Sequence, residues 1–442
     1  MDIQQIRDRK SYYQDKYYNT LRAEQAKDVT FYNDTFAVPQ LSTLSVKSRT
    51  GEGARKVDEP TDILSTGKLT VTRPQRKDTA LETEKATAVG KYFNETFVPS
   101  LVRRNPNPVH TFLKNQFLYG EAWIHPVHNE TWVVRPITKD GLPVLLVLSN
   151  PLNIFPSPNE SDDGIPEHVI VVYERLPWVV KSLYPAWSDP KAVERRKEQA
   201  GKEETTLWLE YWDKDVRYFE ADGEPVLKGG IQDNIYGFVP FVHKISGYGT
   251  DAPDGKPEDR VVGRLRKYRD QLKRDCAIVS DMDSIMHNFA DRSIDVQAID
   301  DQHSVPKDFR DKYQIGTGLI HELPYGFTVT RAVQELLEPQ YFQYYYNLKQ
   351  DIRGSLPAVL SGEPMGQSGR LQDISLTTAM KLFEQQIKNT EYAFETAFSM
   401  VLKMFDRVPK LSPISESDID KYYTVEVSLK GDDPLENERL SS

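Results

Sequence analysis

Residues 258–292 contain the clearest periodic signal in the chain, EDRVVGRLRKYRDQLKRDCAIVSDMDSIMHNFADR. Apolar side chains recur there at alternating steps of four and three residues, at Val261, Leu265, Tyr268, Leu272, Val279, Met282, Met286 and Phe289. Only Asp275 interrupts the series. This heptad spacing predicts one straight helix of about 35 residues, about 50 Å long at about 1.5 Å per residue, with a single apolar seam.

Two more long helices are predicted on the carboxyl side of this segment. The first covers residues 338–353 and carries its apolar residues on one face, at Tyr341, Tyr345, Leu348 and Ile352. The second covers residues 371–407, where apolar residues repeat every 3.6 positions on average. Residues 294–333, between the first two helices, are predicted to be turns with short strands at 294–299, 319–322 and 327–330, and residues 423–429 alternate like a strand.

The first third of the chain is predicted to be mainly helical. The opening thirty residues place Ile6, Tyr13, Tyr17 and Leu21 at helical spacing among charged residues. Residues 48–80 are rich in Gly and Pro and are predicted to be a loop with one strand at 68–72. Helices are then predicted from Thr79 to about Val98 and over residues 110–119, with Gly120 as the C-cap.

Residues 121–245 are predicted to be rich in antiparallel strands. Short β-branched and aromatic runs lie at 122–124, 132–134, 144–148 and 169–173. Residues 208–212 and 216–219 are predicted to form a hairpin across Asp213, and residues 191–202 a charged helical insert. Helices and strands that segregate in this way indicate the α+β class.

Composition excludes several classes of protein. Fifty-six basic and 66 acidic residues leave a net charge of −10, which argues against a protein that coats nucleic acid non-specifically. No stretch approaches 18 uncharged apolar residues and the amino terminus is charged, so neither a membrane span nor a signal peptide is expected. The single Cys276 excludes internal disulfides and cysteine-based zinc sites and fits a reducing compartment.

No motif in the sequence supports a catalytic or cofactor-binding function. The segment 362–369, GEPMGQSG, lacks the Gly-Lys-Ser/Thr ending of a phosphate-binding loop, and no predicted strand precedes it. His125 and His128 have no third ligand nearby in sequence, so a packing role is favoured over metal binding. We therefore predict no catalytic residues, no metal site and no cofactor.

The order of the predicted elements resembles the portal proteins of tailed double-stranded DNA bacteriophages, over about residues 85–440. Individual segments that carry the resemblance are FLKNQFLYGEAWI at 112–124, NPLNIF at 150–155, IYGFVPFV at 235–242, LSGEPMGQSGR at 360–370, LQDISLTTAMKLF at 371–383 and VEVSLKGDDPLENE at 425–438. The segment 235–242 resembles the apolar strand that precedes the first stem helix in portals, so the resemblance implies a strand there.

The resemblance implies a portal-type fold with a mixed α/β wing, a two-helix stem, a small α/β clip and a long helix that crosses the wing. It divides the chain into an N-terminal helical arm (1–40), the first part of the wing (41–257), stem helix 1 (258–293), clip (294–333), stem helix 2 (334–353), tunnel loop (354–372), and the wing helix and strand with a short or missing crown (373–442).

The same resemblance implies a ring, usually of twelve subunits, at one vertex of a capsid. The ring would be a channel through which double-stranded DNA is packaged and ejected, assembled in the host cytoplasm and retained in the virion. Expected partners are the terminase large subunit, neck or adaptor proteins, and the major capsid and scaffolding proteins. Another oligomeric neck or adaptor protein and, with less support, a nucleotide-dependent motor subunit remain as alternatives.

Two sets of site residues follow from this resemblance. The residues expected to face DNA are Glu363, Met365, Gln367, Arg370 and Arg353. Among them, Arg370 beside the tunnel loop and Arg353 at the end of stem helix 2 are the expected phosphate contacts. A helix of about 50 Å cannot bury its apolar seam within a thin stem, so neighbouring subunits should cover it. The expected interface residues are Leu265, Tyr268, Leu272, Met282, Met286 and Phe289.

Overall fold

A computed structural model describes most of the 442-residue chain. The described residues are 2–39, 47–128, 142–161, 163–191, 205–250, 255–290, 294–299, 326–331, 339–354 and 381–430. Within them the fold is mixed helix and sheet, as the α+β prediction requires. The chain divides into two compact units, one formed by Met1–Phe36, Gly51–Arg269 and Leu356–Ser442, the other by Ala37–Thr50 and Asp270–Ser355.

The first unit begins with helices. In chain order they are α1 (Ile3–Tyr12), α2 (Asn19–Tyr32), α3 (Glu52–Ser65), α4 (Ala80–Tyr92), α5 (Val98–Val102) and α6 (Pro108–Tyr119). A π-helical turn at Tyr13–Tyr17 joins α1 to α2, and a second one at Phe93–Phe97 joins α4 to α5. Gly120 ends α6 with φ of 82°, as predicted, and Thr79, where the preceding helix is predicted to begin, is the N-cap of α4.

The strands of the first unit form three antiparallel sheets. They are β1 (Lys68–Thr72), β2 (Glu121–His128), β3 (Val144–Leu148), β4 (Ile154–Pro156), β5 (His168–Arg175), β6 (Thr206–Asp213), β7 (Val216–Ala221), β8 (Glu224–Pro225), β9 (Gln232–Asp233), β10 (Val242–Ile245) and β13 (Glu426–Lys430). The largest sheet has the order β4-β5-β6-β7-β8, with β9 also on β7; the others are β10-β2-β3 and β1-β13. The predicted β6–β7 hairpin is confirmed, with Tyr211 opposite Tyr218.

Four further helices belong to the described part of the first unit. These are α7 (Pro177–Leu183), α8 (Pro257–Arg260), α11 (Glu384–Arg407) and α12 (Glu416–Ile419). Helix α11 packs an aromatic face into the core, where the Phe398 ring lies 5.0 Å from Phe93 and 5.5 Å from Phe97. Aromatic burial of this kind supplies much of the apolar area that the polar composition otherwise lacks.

The second unit contains two long helices and a small sheet. In chain order they are α9 (Arg269–Ala290), β11 (Ile294–Ala298), β12 (Phe327–Arg331) and α10 (Pro339–Arg353). The two strands pair antiparallel, with Val296 opposite Val329. Helix α10 and the strand segments 294–298 and 327–330 agree with the prediction.

The prediction of one continuous helix over residues 258–292 is wrong in its first third. Helix α8 ends at Arg260, a 3-10 turn covers Arg264–Tyr268, and α9 begins at Arg269. The chain passes directly against α6 here, since a Cβ on Gly263 would lie 2.2 Å from the Leu118 carbonyl oxygen. Burial of Val261 and Leu265 in the first unit therefore outweighs the heptad pattern.

Two loop and strand predictions are also corrected. Residues 52–65 are a helix rather than a loop, because Val57, Pro60 and Leu64 bury one face at helical spacing despite the Gly and Pro content. The predicted strand at 235–242 is a turn up to residue 241. Asn234 closes this turn by donating to the carbonyl oxygens of Asp213 at 2.7 Å and Phe238 at 2.8 Å, so strand pairing begins only at Val242.

Some predictions fall on residues that the structure does not describe. These are the strands at 132–134 and 319–322, the helical insert from residue 192 onwards, the segment 371–380 of the third long helix, and nearly all of the tunnel loop.

Candidate functional site

The two long helices of the second unit form its interior along one face of α10. Leu348 and Ile352 are buried there, while Tyr345 and Tyr341, one and two turns earlier on the same face, are half-buried. This is the face that the sequence predicts. The opposite helix contributes buried side chains at Leu272, Cys276 and Ile278.

A buried ion pair lies between these helices. The Lys349 Nζ atom is 2.9 Å from Oδ2 of Asp275, whose side chain is 0% exposed. Asp275 is the residue that interrupts the heptad pattern. Its ion pair with Lys349 explains why a charged residue lies in the interior. Burying a carboxylate is costly unless a cation compensates it, so the pair constrains which faces of α9 and α10 meet.

The short segment 47–50 packs along α9 through hydroxyl groups. The Ser280 hydroxyl accepts a hydrogen bond from the Ser48 amide at 2.9 Å and donates to the Cys276 carbonyl at 2.6 Å. The Ser48 hydroxyl donates to Asp283, and Thr50 contacts the sulfur of the buried Cys276 at 3.6 Å. This face of α9 is therefore covered within the subunit.

Apolar side chains of the second unit also remain exposed to solvent. We call this set the exposed apolar surface; its members are Met286 at 68%, Ile299 at 66%, Tyr346 at 63%, Tyr344 at 50% and Phe342 at 39%. Three of them lie on α10, where Phe342 and Tyr346 are one turn apart on one face and Tyr344, two residues from each, lies on another face. Clustered exposed aromatics of this kind mark interaction surfaces in other proteins.

The structure separates the predicted interface residues into different environments. Leu265 is fully buried in the first unit, and Leu272 is 2% exposed, so neither side chain is available at the subunit surface. Tyr268 is half-buried, with the Lys56 ammonium 4.1 Å above its ring. Met282 is half-buried and Met286 is exposed, whereas the side chain of Phe289 lies outside the described part.

The predicted DNA-facing residues are mostly outside the described ranges. Glu363, Met365, Gln367 and Arg370 all belong to the segment 355–380. Arg353 is described and is exposed at the last position of α10. The phosphate contacts assigned to Arg353 and Arg370 therefore stay predictions.

A second polar centre is buried in the first unit at the start of β2. The Glu121 carboxylate accepts hydrogen bonds from Gln25 at 2.8 Å and from Nε2 of His243 at 2.9 Å, and it forms an ion pair with Arg22. Nδ1 of His243 lies 2.7 Å from Glu160. Since both ring nitrogens face carboxylates, both must donate, and the imidazole is held as a cation.

The pKa of His243 reflects this environment. Burial alone lowers it, but the charges and hydrogen bonds of Glu160 and Glu121 prevail and raise the pKa of His243 to about 9. The cation also stacks on Trp123, with ring centroids 4.1 Å apart. A cavity of about 50 Å³ beside the cluster has room for only a few waters, so the network joins α2, β2 and β10 rather than forming a ligand site.

The residues just before and at the start of α9 are held by a third ionic cluster. Arg269 donates to Asp28 at 2.8 Å and forms an ion pair with Glu24, while Arg266 lies 3.6 Å from Asp28. Burial raises the pKa of Asp28 to about 6 despite both guanidinium groups. Burial also disfavours the charge on Glu24, but hydrogen bonds from Lys27 and Arg269 lower its pKa to about 2.

Neither a metal centre nor a membrane segment is found among the described residues. No group of three His, Cys, Asp or Glu side chains is placed there to hold a metal ion. Burial lowers the pKa of His125 to about 3 and that of His128 to about 4, and both rings pack on aromatic neighbours. None of the described helices is long and apolar enough to cross a bilayer.

Comparisons with known proteins give structural likeness alone. No protein-family model matches the chain, and no curated protein matches its sequence. Among solved structures, a chain of the "virion of native gene transfer agent (GTA) particle" is 10% identical, with a TM-score of 0.48, and the match covers 94% of this chain and 88% of that one.

Two neck structures of the same kind of particle are similar at the same level. A chain from the neck of the empty GTA particle with C6 symmetry has 10% identity and a TM-score of 0.46, over 88% of this chain and 85% of that one. A chain from the neck of the native GTA particle with C12 symmetry has 11% identity and a TM-score of 0.44, over 88% and 84%.

Proposed function

We propose that this protein is the subunit of a portal-type ring in a phage-like virion, where it has a structural and gating role without catalysis. The observation that carries the proposal is the order of helices and strands in the second unit. Two long helices flank a small two-stranded sheet in the order α9, β11, β12, α10, which is the order of stem, clip and stem that the sequence resemblance implies.

Further support comes from the surface of that unit. A buried ion pair fixes α9 against α10, yet Met286, Ile299 and three aromatic side chains of α10 remain exposed. An isolated subunit gains nothing from ordering apolar residues at its surface, whereas a ring buries them between neighbours. We assign the exposed apolar surface, and not the buried Leu265 and Leu272, to the contact between subunits.

The finer parts of the proposal rest on the sequence resemblance. The ring has twelve subunits at a capsid vertex, and double-stranded DNA passes through its channel past the loop that contains Arg370. The terminase large subunit and later the neck or adaptor proteins dock at residues 294–333, and major capsid and scaffolding proteins surround the wing. The three similar structures come from virion and neck particles, but the proposal does not depend on them.

Electron microscopy of the purified protein, together with mass photometry, tests the proposal. We expect rings with a central hole and a mass of about twelve times 50.8 kDa. Met286→Asp puts a charge on the exposed apolar surface without touching the core and should yield folded monomers. The control Gln350→Asp, at an exposed polar position of α10, should still form rings. A compact wild-type monomer with nucleotide turnover would favour the motor class and refute the ring.

A further inference from the structure

Helix α10 has a different chemistry on each of its sides. Tyr345 is half-buried on the side that faces the interior of the second unit, together with the buried Leu348 and Ile352. Since successive residues of a helix are about 100° apart, Tyr344 and Tyr346 lie on opposite flanks of that side. They are 50% and 63% exposed. Both flanks of the helix therefore present an aromatic ring to solvent.

The back of α10 carries uncharged amide side chains. Gln343 and Asn347 are each two residues from Tyr345, about 160° from the buried side, and both are exposed. The Gln343 amide donates to the side-chain oxygen of Asn347 at 3.0 Å, which links the two along the helix. Gln350, three residues later, is also exposed. Residues 339–348 contain no charged side chain.

Helix α9 exposes mainly charged side chains. Among the side chains of α9 that the structure describes, the exposed ones are Asp270, Lys273, Arg274 and, near the carboxyl end, Met286. Three of these four are charged. A charged side is stable in water without a partner, whereas aromatic flanks gain from being covered.

Ring geometry decides which of two stacked helices meets its neighbours. We take the twelve-subunit ring proposed above, on which the inference rests, with its helix pairs standing along the axis. Twelve helices packed about 10 Å apart form a circle of about 19 Å radius. Helices one packing distance further from the axis are about 15 Å from each other, too far to touch. The inner helix of each pair is therefore covered on both flanks, and the outer helix on neither.

We propose that α10 forms the inner wall of this ring and presents the stripe Gln343, Asn347 and Gln350 to double-stranded DNA in the channel. Its aromatic flanks then meet the inner helices of both neighbouring subunits. The circle leaves an opening about 28 Å wide, enough for a DNA duplex. Amide groups carry no charge that would hold phosphates, whereas an inward α9 would present Lys273 and Arg274 of every subunit to the DNA. A neutral wall lets the DNA slide.

Binding of linear and covalently closed circular duplex DNA to purified rings tests this assignment, because only a linear molecule has an end that can enter the channel. Asn347→Lys adds one positive charge per subunit to the inner wall. We expect it to strengthen binding of linear DNA at low salt by about tenfold or more and to leave binding of circular DNA unchanged. The control Asp270→Asn changes the charge by the same amount on the exposed side of α9, and it should not favour linear over circular DNA.

Equal strengthening for linear and circular DNA in Asn347→Lys would place this side of α10 outside the channel and refute the assignment. Should the added lysines prevent assembly, Asn347→Cys can be made cationic in preformed rings with aminoethyl methanethiosulfonate, because the native Cys276 is buried.

Tyr344→Asp tests the second flank of α10. It should reduce the fraction of rings as Tyr346→Asp does, since both flanks meet a neighbour; an unchanged ring yield would overturn the inner position of α10. A wild-type monomer would refute the ring itself and the inference with it. Intact wild-type rings that give either contrary result with the variants would refute the inference alone.

Discussion

Removing the lysine of the buried ion pair should loosen the second unit more than any exposed substitution. In Lys349→Met the aliphatic stem remains, but Asp275 keeps a carboxylate that is 0% exposed and has lost its cation. Breaking a buried pair from one side costs about 3–5 kcal/mol, because the remaining charge is uncompensated. The double variant Asp275→Leu/Lys349→Met removes both charges and should recover most of that loss.

Amide hydrogen exchange along α9 measures this effect locally, which matters because a chain with two units is not expected to unfold in one step. A loss of about 3 kcal/mol corresponds to exchange about 150-fold faster for amides that open with the pair. Lys388→Met is the matched control, since Lys388 forms an exposed pair with Glu384 at 2.6 Å and should change nothing measurable. If the amides of the double variant exchange as fast as the separate effects of Asp275→Leu and Lys349→Met add up to, Asp275 and Lys349 are not coupled and the reasoning fails.

Three other predictions concern assembly, pH and DNA. Tyr346→Asp should leave the subunit folded and reduce the fraction of rings seen by mass photometry, because the residue is 63% exposed; unchanged ring yield would remove it from the contact. The pKa of His243 is raised, so the stabilisation that its charge gives the fold is complete below about pH 6.5 and is lost as the pH rises towards about 9. The melting temperature should fall over that window by the equivalent of about 3 kcal/mol, and His243→Gln should flatten the dependence of melting temperature on pH. Arg370→Glu should leave rings intact but reduce DNA retention, most strongly at low salt where repulsion is least screened, and normal retention there would exclude the residue from DNA contact.

Sequence periodicity predicted the elements whose burial pattern is simple. The face of α10 with Leu348 and Ile352, the C-cap at Gly120 and the β6–β7 hairpin follow from local spacing and turn chemistry, and the structure confirms them. The charged residue in the seam, Asp275, has a partner 74 positions away, which no local pattern indicates. Lys349 and the exposed tyrosines of α10 were missed, although an aromatic-rich helix with few apolar core positions was a visible signal.

Failures of the sequence prediction occurred where long-range packing decides the local conformation. Gly263 and Gly120 permit an approach between two backbone segments, and a Cβ on Gly120 would lie 2.4 Å from the Val262 carbonyl carbon. That contact delays the start of the long helix to Arg269, yet the heptad pattern runs through it because Leu265 and Leu272 are both buried. Likewise Gly53 lets α3 pass against the Phe31 carbonyl, where the sequence suggested only a loop.

The π-helical turn at Tyr13–Tyr17 has a consequence for how this chain can vary by insertion and deletion. Such a turn holds one residue more than an α-helical turn, so the helix after it is rotated by about 100° relative to an uninterrupted one. Deleting that one residue would restore a regular helix and leave Leu21, Gln25 and Asp28 facing the interior that they now occupy, whereas closing the turn into a regular helix without a deletion would turn them away. The irregular turn thus fixes the phase of α2, and a one-residue deletion should be tolerated within the turn but not within α2 itself, where it would rotate every later residue by about 100°.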